Sequence, residues 1–153
     1  MITITRDTPL LPELSLLMER HAEAMHADTP PESIHMMDAG ALAGPEIAFF
    51  VMRDDGQPIG MGALKRIDAA HAEIKSMHIL AEMRGRGLAR TMLEHLIAEA
   101  KAEGYVRLSL ETGAQPAFAA AHGLYAGSGF KECPAFAAYG PDPNSIFMTM
   151  VLE

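Results

Sequence analysis

Residues 2–6, ITITR, alternate apolar and polar positions, the period of a short strand with one face covered. From Leu10 the period lengthens: Leu10, Leu14, Leu17, Met18 and Met25 recur at helical spacing. Pro12 stands near the start, where its missing N–H does no harm. ADTPPES (27–33) breaks this helix, and a short second one is predicted over SIHMMDAGALA (33–43), ended by Gly44 and Pro45. EIAFFVMR (46–53) and PIGMGALKRI (58–67) then flank DDGQ, a hairpin signal, and HAEIKSMHIL (71–80) reads as a third strand of the meander. A long amphipathic helix follows from Leu88 to about Glu103, with Leu93, Leu96, Ile97 and Ala100 on one face and Gly104 as its stop. YVRLSLET (105–112), a helix over 116–126, GFKECPAF (129–136), a Pro- and Gly-rich loop and the strand SIFMTMVL (145–152) complete the chain.

An antiparallel meander that feeds a βαβ crossover predicts an α/β (α+β) fold, a mixed sheet of about seven strands with helices on both faces. The 153 residues suit a single domain over 1–153, with no internal repeat. An apolar fraction of 49% is that of a globular protein, and the twelve methionines read as core filler. A lone cysteine, Cys133, rules out an internal disulfide framework and reads as a small apolar filler. The seven histidines are scattered, and His21 and His26, five apart, do not share a helix face, so no metal site is expected. MITITRDTP lacks the basic and apolar regions of a signal peptide, and no apolar run approaches a membrane span, so a cytoplasmic chain is expected. A net charge of −8 argues against nucleic acid and is compatible with an amine-bearing partner.

Against that acidic background, Arg84, Gly85, Arg86, Gly87 and Arg90 crowd the point where a strand gives way to a helix. A helix N-terminus carries unpartnered N–H groups and partial positive charge, and glycines let backbone close around an anion. Phosphate or pyrophosphate is the natural guest; a glycine turn with solvated arginines is the plain alternative. A P-loop would need G-x-x-x-x-G-K-[ST], which is absent. A dinucleotide loop would need a third glycine where Arg90 stands, after a parallel strand rather than a meander.

The pattern that fits is [QR]-x-x-G-x-[GA], met by Arg84, Gly87 and Ala89. With EIKSM, RGRGLA, LETG and LYAGSGF in order over 72–130, the chain resembles the GNAT acyltransferases, which move an acetyl group from acetyl-CoA to an amine. FFV, GMGALK, LETG and the tail DPNSIFM look, more narrowly, like the YsnE-type branch of that family.

The resemblance implies that backbone groups of Met77, His78 and Ile79 pair with pantetheine and the thioester. It implies too that the amides of Arg84, Gly85, Arg86, Gly87, Leu88, Ala89 and Arg90 cradle the pyrophosphate of acetyl-CoA, bound as co-substrate without a metal. An amide near His78 or Ile79 would face the thioester oxygen. Direct attack also needs a base, because a free amine is mostly protonated at neutral pH. Glu73, eleven residues before Arg84, is the leading candidate; the alternative is a strand-edge carboxylate paired with Lys65, Lys75 or Arg107. Glu111 competes for the role, as does the side chain of His78. Tyr125 in GLYAGSGF stands where the family carries the acid for the departing thiolate, or else it packs under the last helix. One departure is visible: many relatives carry asparagine seven residues before that tyrosine, and here Phe118 stands there, leaving Thr112 or Gln115 to replace the contact.

The expected protein is an acetyl-CoA-dependent N-acetyltransferase, monomer or homodimer, with no nucleic-acid or membrane partner. Its acceptor, a small-molecule amine or amino acid, would lie against residues 20–45 and the loop CPAFAAYGPDPNS (133–145). The rival is a non-catalytic acyl-CoA-binding sensor on the same fold.

Overall fold

The computed structural model describes residues 1–34 and 37–152. Its strands are β1 (Ile2–Arg6), β2 (Ile47–Asp54), β3 (Gln57–Arg66), β4 (His71–Ile79), β5 (Arg107–Gly113), β6 (Lys131–Cys133) and β7 (Ser145–Val151). Its helices are α1 (Ser15–Asp28), α2 (Ala39–Leu42), α3 (Leu88–Ala102) and α4 (Ala119–Gly127). The seven strands make one sheet in the order β1-β2-β3-β4-β5-β7-β6. Every neighbouring pair is antiparallel except β4 and β5, which the α3 crossover makes parallel.

Local chemistry explains most of the boundaries. Asp55 and Gly56 both take positive φ (49° and 87°), which gives the tight two-residue turn that Asp-Gly favours between β2 and β3. Gly104, at φ 90°, closes α3 where the sequence predicts its stop. The first helix starts later than its apolar spacing predicts: Pro12–Leu14 form a 3-10 turn, α1 begins at Ser15, and Leu10 is 60% exposed. The second helix shrinks to the four residues of α2, capped by Asp38, whose side chain accepts from the Ala41 N–H; part of its predicted span, residues 35–36, lies outside the described residues.

Two cores sandwich the sheet. On one face α3 buries Leu88, Met92, Leu93, Leu96 and Ala100 against Phe50, Leu64, Ile74 and Leu108. Each buried leucine, methionine, isoleucine or phenylalanine of this group contributes about 1.5–3 kcal/mol. Gly62 permits the close approach, since a Cβ there would sit 3.0 Å from Leu96 Cδ1 and 3.2 Å from Met92 Sδ. On the other face Leu14, Leu17 and Leu42 pack on Phe49, Val51, Met61 and Ala63. Met52, Met61, Met92 and Met148 are buried as expected of core filler, whereas Met1 is exposed.

An irregularity in β4 decides which side chains meet. Met61 pairs with His78 and Ala63 with Lys75, so Gly62 alone opposes both Ser76 and Met77. Ser76 is the extra residue of this bulge and takes a positive φ of 53°. Residues 73 and 78 would otherwise face opposite ways. The bulge restores phase, so that Glu73, Lys75 and His78 share the face covered by α1, while Ile74 and Ile79 join the α3 core.

Candidate active site

β4 and β5 pair only through His71–Arg107, Ala72–Leu108 and Glu73–Ser109. Beyond Glu73 the strands part, leaving that edge of β4 without a ladder and opening a cavity of about 160 Å³. Glu73, Ser76 and Met77 form one wall, Glu111, Thr112 and Gly113 the other, with Tyr125 at the base. Met77, Ala121 and Tyr125 also line a second cavity of about 500 Å³, which runs along residues 77–79 to the loop at 84–90.

That loop has the backbone an anion cradle requires. Gly85 and Gly87 take φ of 82° and 76°, and a Cβ on either would project into open space. Gly87 caps α3 without a side-chain hydrogen bond, and the first helical bond runs from the Thr91 N–H to the Gly87 carbonyl. The amides of Leu88, Ala89 and Arg90 therefore have no partner among the described residues. Arg84 and Arg90 are exposed and line this opening, whereas Arg86 does not line it and reaches Asp54 at 3.6 Å. Free N–H groups, a helix dipole, the guanidinium groups of Arg84 and Arg90 and a cleft leading inward fit a pyrophosphate attached to a long arm.

At the inner end, Glu73 is only 2% exposed. The Tyr139 hydroxyl donates to Glu73 Oε2 at 2.6 Å and accepts from Lys75 Nζ at 2.8 Å, while Lys75 Nζ lies 3.6 Å from the same carboxylate oxygen. Burial and the adjacent Glu73 carboxylate push the Tyr139 phenol well above its ordinary range, so it stays a donor. Its ring is held by Phe136 and Phe147, with centroids 5.3 and 5.4 Å away. Tyr125 is buried, and desolvation, helped by Glu111, raises its phenol to about 12.

His78 packs on His21 of α1 with ring centroids 5.2 Å apart, and its Nε2 is buried without a hydrogen bond. Burial holds His78 down to about 4, with His21, Arg84 and Arg20 adding to the effect. Burial and then Lys75 bring His21 to about 4 as well. Both imidazoles are therefore neutral at pH 7, and His78 is a weak base.

A model of the acetyltransferase (GNAT) family matches residues 14–130. The chain belongs to the GNAT acetyltransferase family. It is 46% identical over 136 residues to the uncharacterized N-acetyltransferase YsnE of Bacillus subtilis (strain 168), covering 89% of this chain and 90% of that one. It is 37% identical over 148 residues to a protein of Azospirillum brasilense named IAA acetyltransferase, covering 96% and 95%. A crystal structure from Klebsiella pneumoniae, provisionally titled an acyl-CoA N-acyltransferase, superposes with a TM-score of 0.82 at 29% identity, covering 100% of this chain and 99% of that one.

Most of the GNAT positions expected from the sequence come together. Met77, His78 and Ile79 line the same cleft as Arg84, Gly85, Gly87, Leu88, Ala89, Arg90 and Tyr125. Glu73 and Glu111 both border the gap between β4 and β5. The alternative reading of Glu73 holds in part: it pairs with Lys75, one of the three partners considered above, and also with Tyr139, but β4 is interior to the sheet and not at its edge. Phe118 lines the gap with Thr112, whereas the Gln115 amide donates to Asn144 Oδ1 at 3.2 Å. Asn144 in turn donates to Ser33 Oγ at 3.3 Å, tying the DPN turn to the segment after α1. Tyr139 and His21 were not singled out by sequence reasoning as site residues. Tyr139 stood inside the loop assigned to the acceptor, and its isolated aromatic character was the only available signal.

Proposed function

We propose that this GNAT protein transfers the acetyl group of acetyl-CoA to the nitrogen of a small amine by direct attack. One observation carries the reading: an open amide cradle at residues 85–90 leads through a continuous cleft to the buried carboxylate of Glu73. Acetyl-CoA supplies an activated acyl carbon joined to a good leaving group. The amides of residues 85–90 hold its pyrophosphate, and the free edge of β4 at Met77, His78 and Ile79 orients the arm.

The acceptor nitrogen forms the new C–N bond as the C–S bond breaks, and the electron pair leaves on sulfur. Glu73 takes the proton released by nitrogen, oriented by the Tyr139 hydroxyl and Lys75. Tyr125 hydrogen-bonds the departing thiolate. With its phenol raised to about 12, full proton transfer to a thiolate of ordinary pKa near 8.5 is uphill by about 5 kcal/mol. The assistance of Tyr125 is therefore modest. Glu111, on the opposite wall, is the alternative base.

The acceptor would be held by Met37 and the loop carrying Tyr139, within the 20–45 and 133–145 segments expected from the sequence. We assign the protein to the cytoplasm, where a free CoA thiol persists. Among the described residues no helix is long and apolar enough to cross a membrane. The engagement of Glu73 with Lys75 and Tyr139 favours one competing reading, an acyl-CoA-binding sensor in which that carboxylate is purely structural. A CoA-release assay with acetyl-CoA against amines, amino acids and polyamines separates the two. Acceptor-dependent turnover supports the enzyme; tight CoA binding with no turnover on any acceptor supports the sensor.

A further inference from the structure

The cavity on the far side of Glu73 carries information about the acceptor. Lys65 and Glu73 are directly opposed across β3 and β4, and Ala63–Lys75 is the next pair on the same face. A cavity of about 540 Å³ lies over this face, within the range typical of small-molecule pockets. Its polar lining is Lys65, Arg66, Glu73, Lys75 and Tyr139, with Met37 and Ile67 among the apolar walls. Two lysines on this face thus meet one carboxylate, whereas Arg66, next along β3, also lines another cavity with Glu46 and Glu103.

The engagement of these charges is uneven. Lys75 is held by Tyr139 and Glu73. The side chain of half-buried Lys65 has no ion-pair or hydrogen-bond partner among the described residues, despite the twenty Asp and Glu of the chain. A diamine would bring its second cation against Lys65, at a cost in a partly desolvated site. A guest with a carboxylate would meet a waiting partner.

We propose that the acceptor is an aminocarboxylate, with its amine presented to Glu73 and its carboxylate bound by Lys65. This rests on the acetyltransferase reading above. Opposed residues of an antiparallel pair have Cβ atoms about 5 Å apart. The spacing suits a molecule whose amine and carboxylate are separated by a few bonds, with its remaining body against Met37 and Ile67.

The test measures kcat/KM by CoA release for L-leucine, L-methionine, β-alanine and γ-aminobutyrate, each against its own carboxamide, with putrescine as the diamine. At least one acid is expected to exceed its carboxamide by tenfold or more. Lys65→Gln should cut that ratio at least fivefold and Lys65→Arg should restore it, while CoA affinity on the same variants reports an intact fold. Carboxamides or putrescine equal to the acids, or a ratio indifferent to Lys65→Gln, would overturn the proposal. If no amine supports CoA release, calorimetry of the CoA-loaded protein with N-acetyl-leucine and N-acetyl-leucinamide decides separately. Lys65-dependent preference for the acid would then keep the anion site while removing the acetyltransferase reading, and no preference would remove both.

Discussion

Two neutral imidazoles, buried His78 and half-buried His21, lie beside arginines and a lysine and make the stability of this fold sensitive to mild acid. His21 and His78 each titrate near 4 in the folded chain and near 6.5 when unfolded. Between those values the unfolded chain takes up protons that the folded chain refuses. The stability present above pH 6.5 is therefore lost as pH falls toward 4, and the loss levels off below that. From pH 7 to pH 5, one such histidine costs about 2 kcal/mol. His78 should approach that figure, and part-exposed His21 should fall short of it because solvent screens its surroundings. The double variant His21→Gln/His78→Gln should remove roughly 2–3 kcal/mol of the acid-induced loss. For a domain of this size that is roughly 5–10 °C in Tm. Denaturant unfolding at pH 7 and pH 5 on parent and double variant measures the difference directly, with the other histidines, including the depressed His71, common to both. An equal loss in the two proteins, or an imidazole resonance of His78 titrating near 6.5, would refute the reasoning.

Three further outcomes follow from the same geometry. Gly87→Val forces a branched residue to φ 76° and fills the open approach to the cradle, so the stabilisation given by acetyl-CoA at a hundredfold over Kd, about 2.7 kcal/mol, should disappear; a folded variant binding CoA normally would sink the loop assignment. Tyr125→Phe should lower kcat toward the small end of general-acid effects, about 10²-fold, with Tm and KM for acetyl-CoA nearly unchanged; normal turnover with chemistry rate-limiting would remove the hydroxyl from the mechanism. Tyr139→Phe leaves the Glu73 carboxylate short of its 2.6 Å donor and should cost about 1–3 kcal/mol in denaturant unfolding; unchanged stability would mean that the hydrogen bond carries no weight.

Local patterning accounts for much of the architecture. The alternation of 2–6, the Asp-Gly hairpin, the apolar face of α3 with Gly104 behind it, and the order of elements all follow from short-range rules, and each appears in the structure. The glycines of the 84–90 loop are likewise local, because positive φ at Gly85 and Gly87 is a property of a few residues. What the sequence hid is long-range. Nothing in HAEIKSMHIL marks Ser76 as the residue that bulges, and period-two counting puts Glu73 and His78 on opposite faces until that extra residue is known. The depth of Glu73 depends on β5 returning parallel beside β4. Its hydrogen bond to Tyr139 spans 66 positions and depends on Phe136 and Phe147 holding the loop in place. The first helix begins only at Ser15 because Pro12 nucleates a 3-10 turn ahead of it, and the second is confined to Ala39–Leu42 behind its Asp38 cap, neither of which apolar spacing reveals.

The most direct test of the central claim is the acceptor-dependent rate of CoA release from acetyl-CoA, compared between the parent protein and Glu73→Gln under conditions where chemistry limits the rate. Glu73→Gln keeps the shape of the side chain and removes its capacity to take a proton from nitrogen. The account predicts turnover in the parent with the acetylated amine as product, a fall in kcat of about 10²-fold or more in the variant, loss of the acidic limb of the pH–rate curve, and an almost unchanged affinity for acetyl-CoA. A variant turning over within about threefold of the parent would pass the proton to Glu111 or to solvent and contradict the account of Glu73.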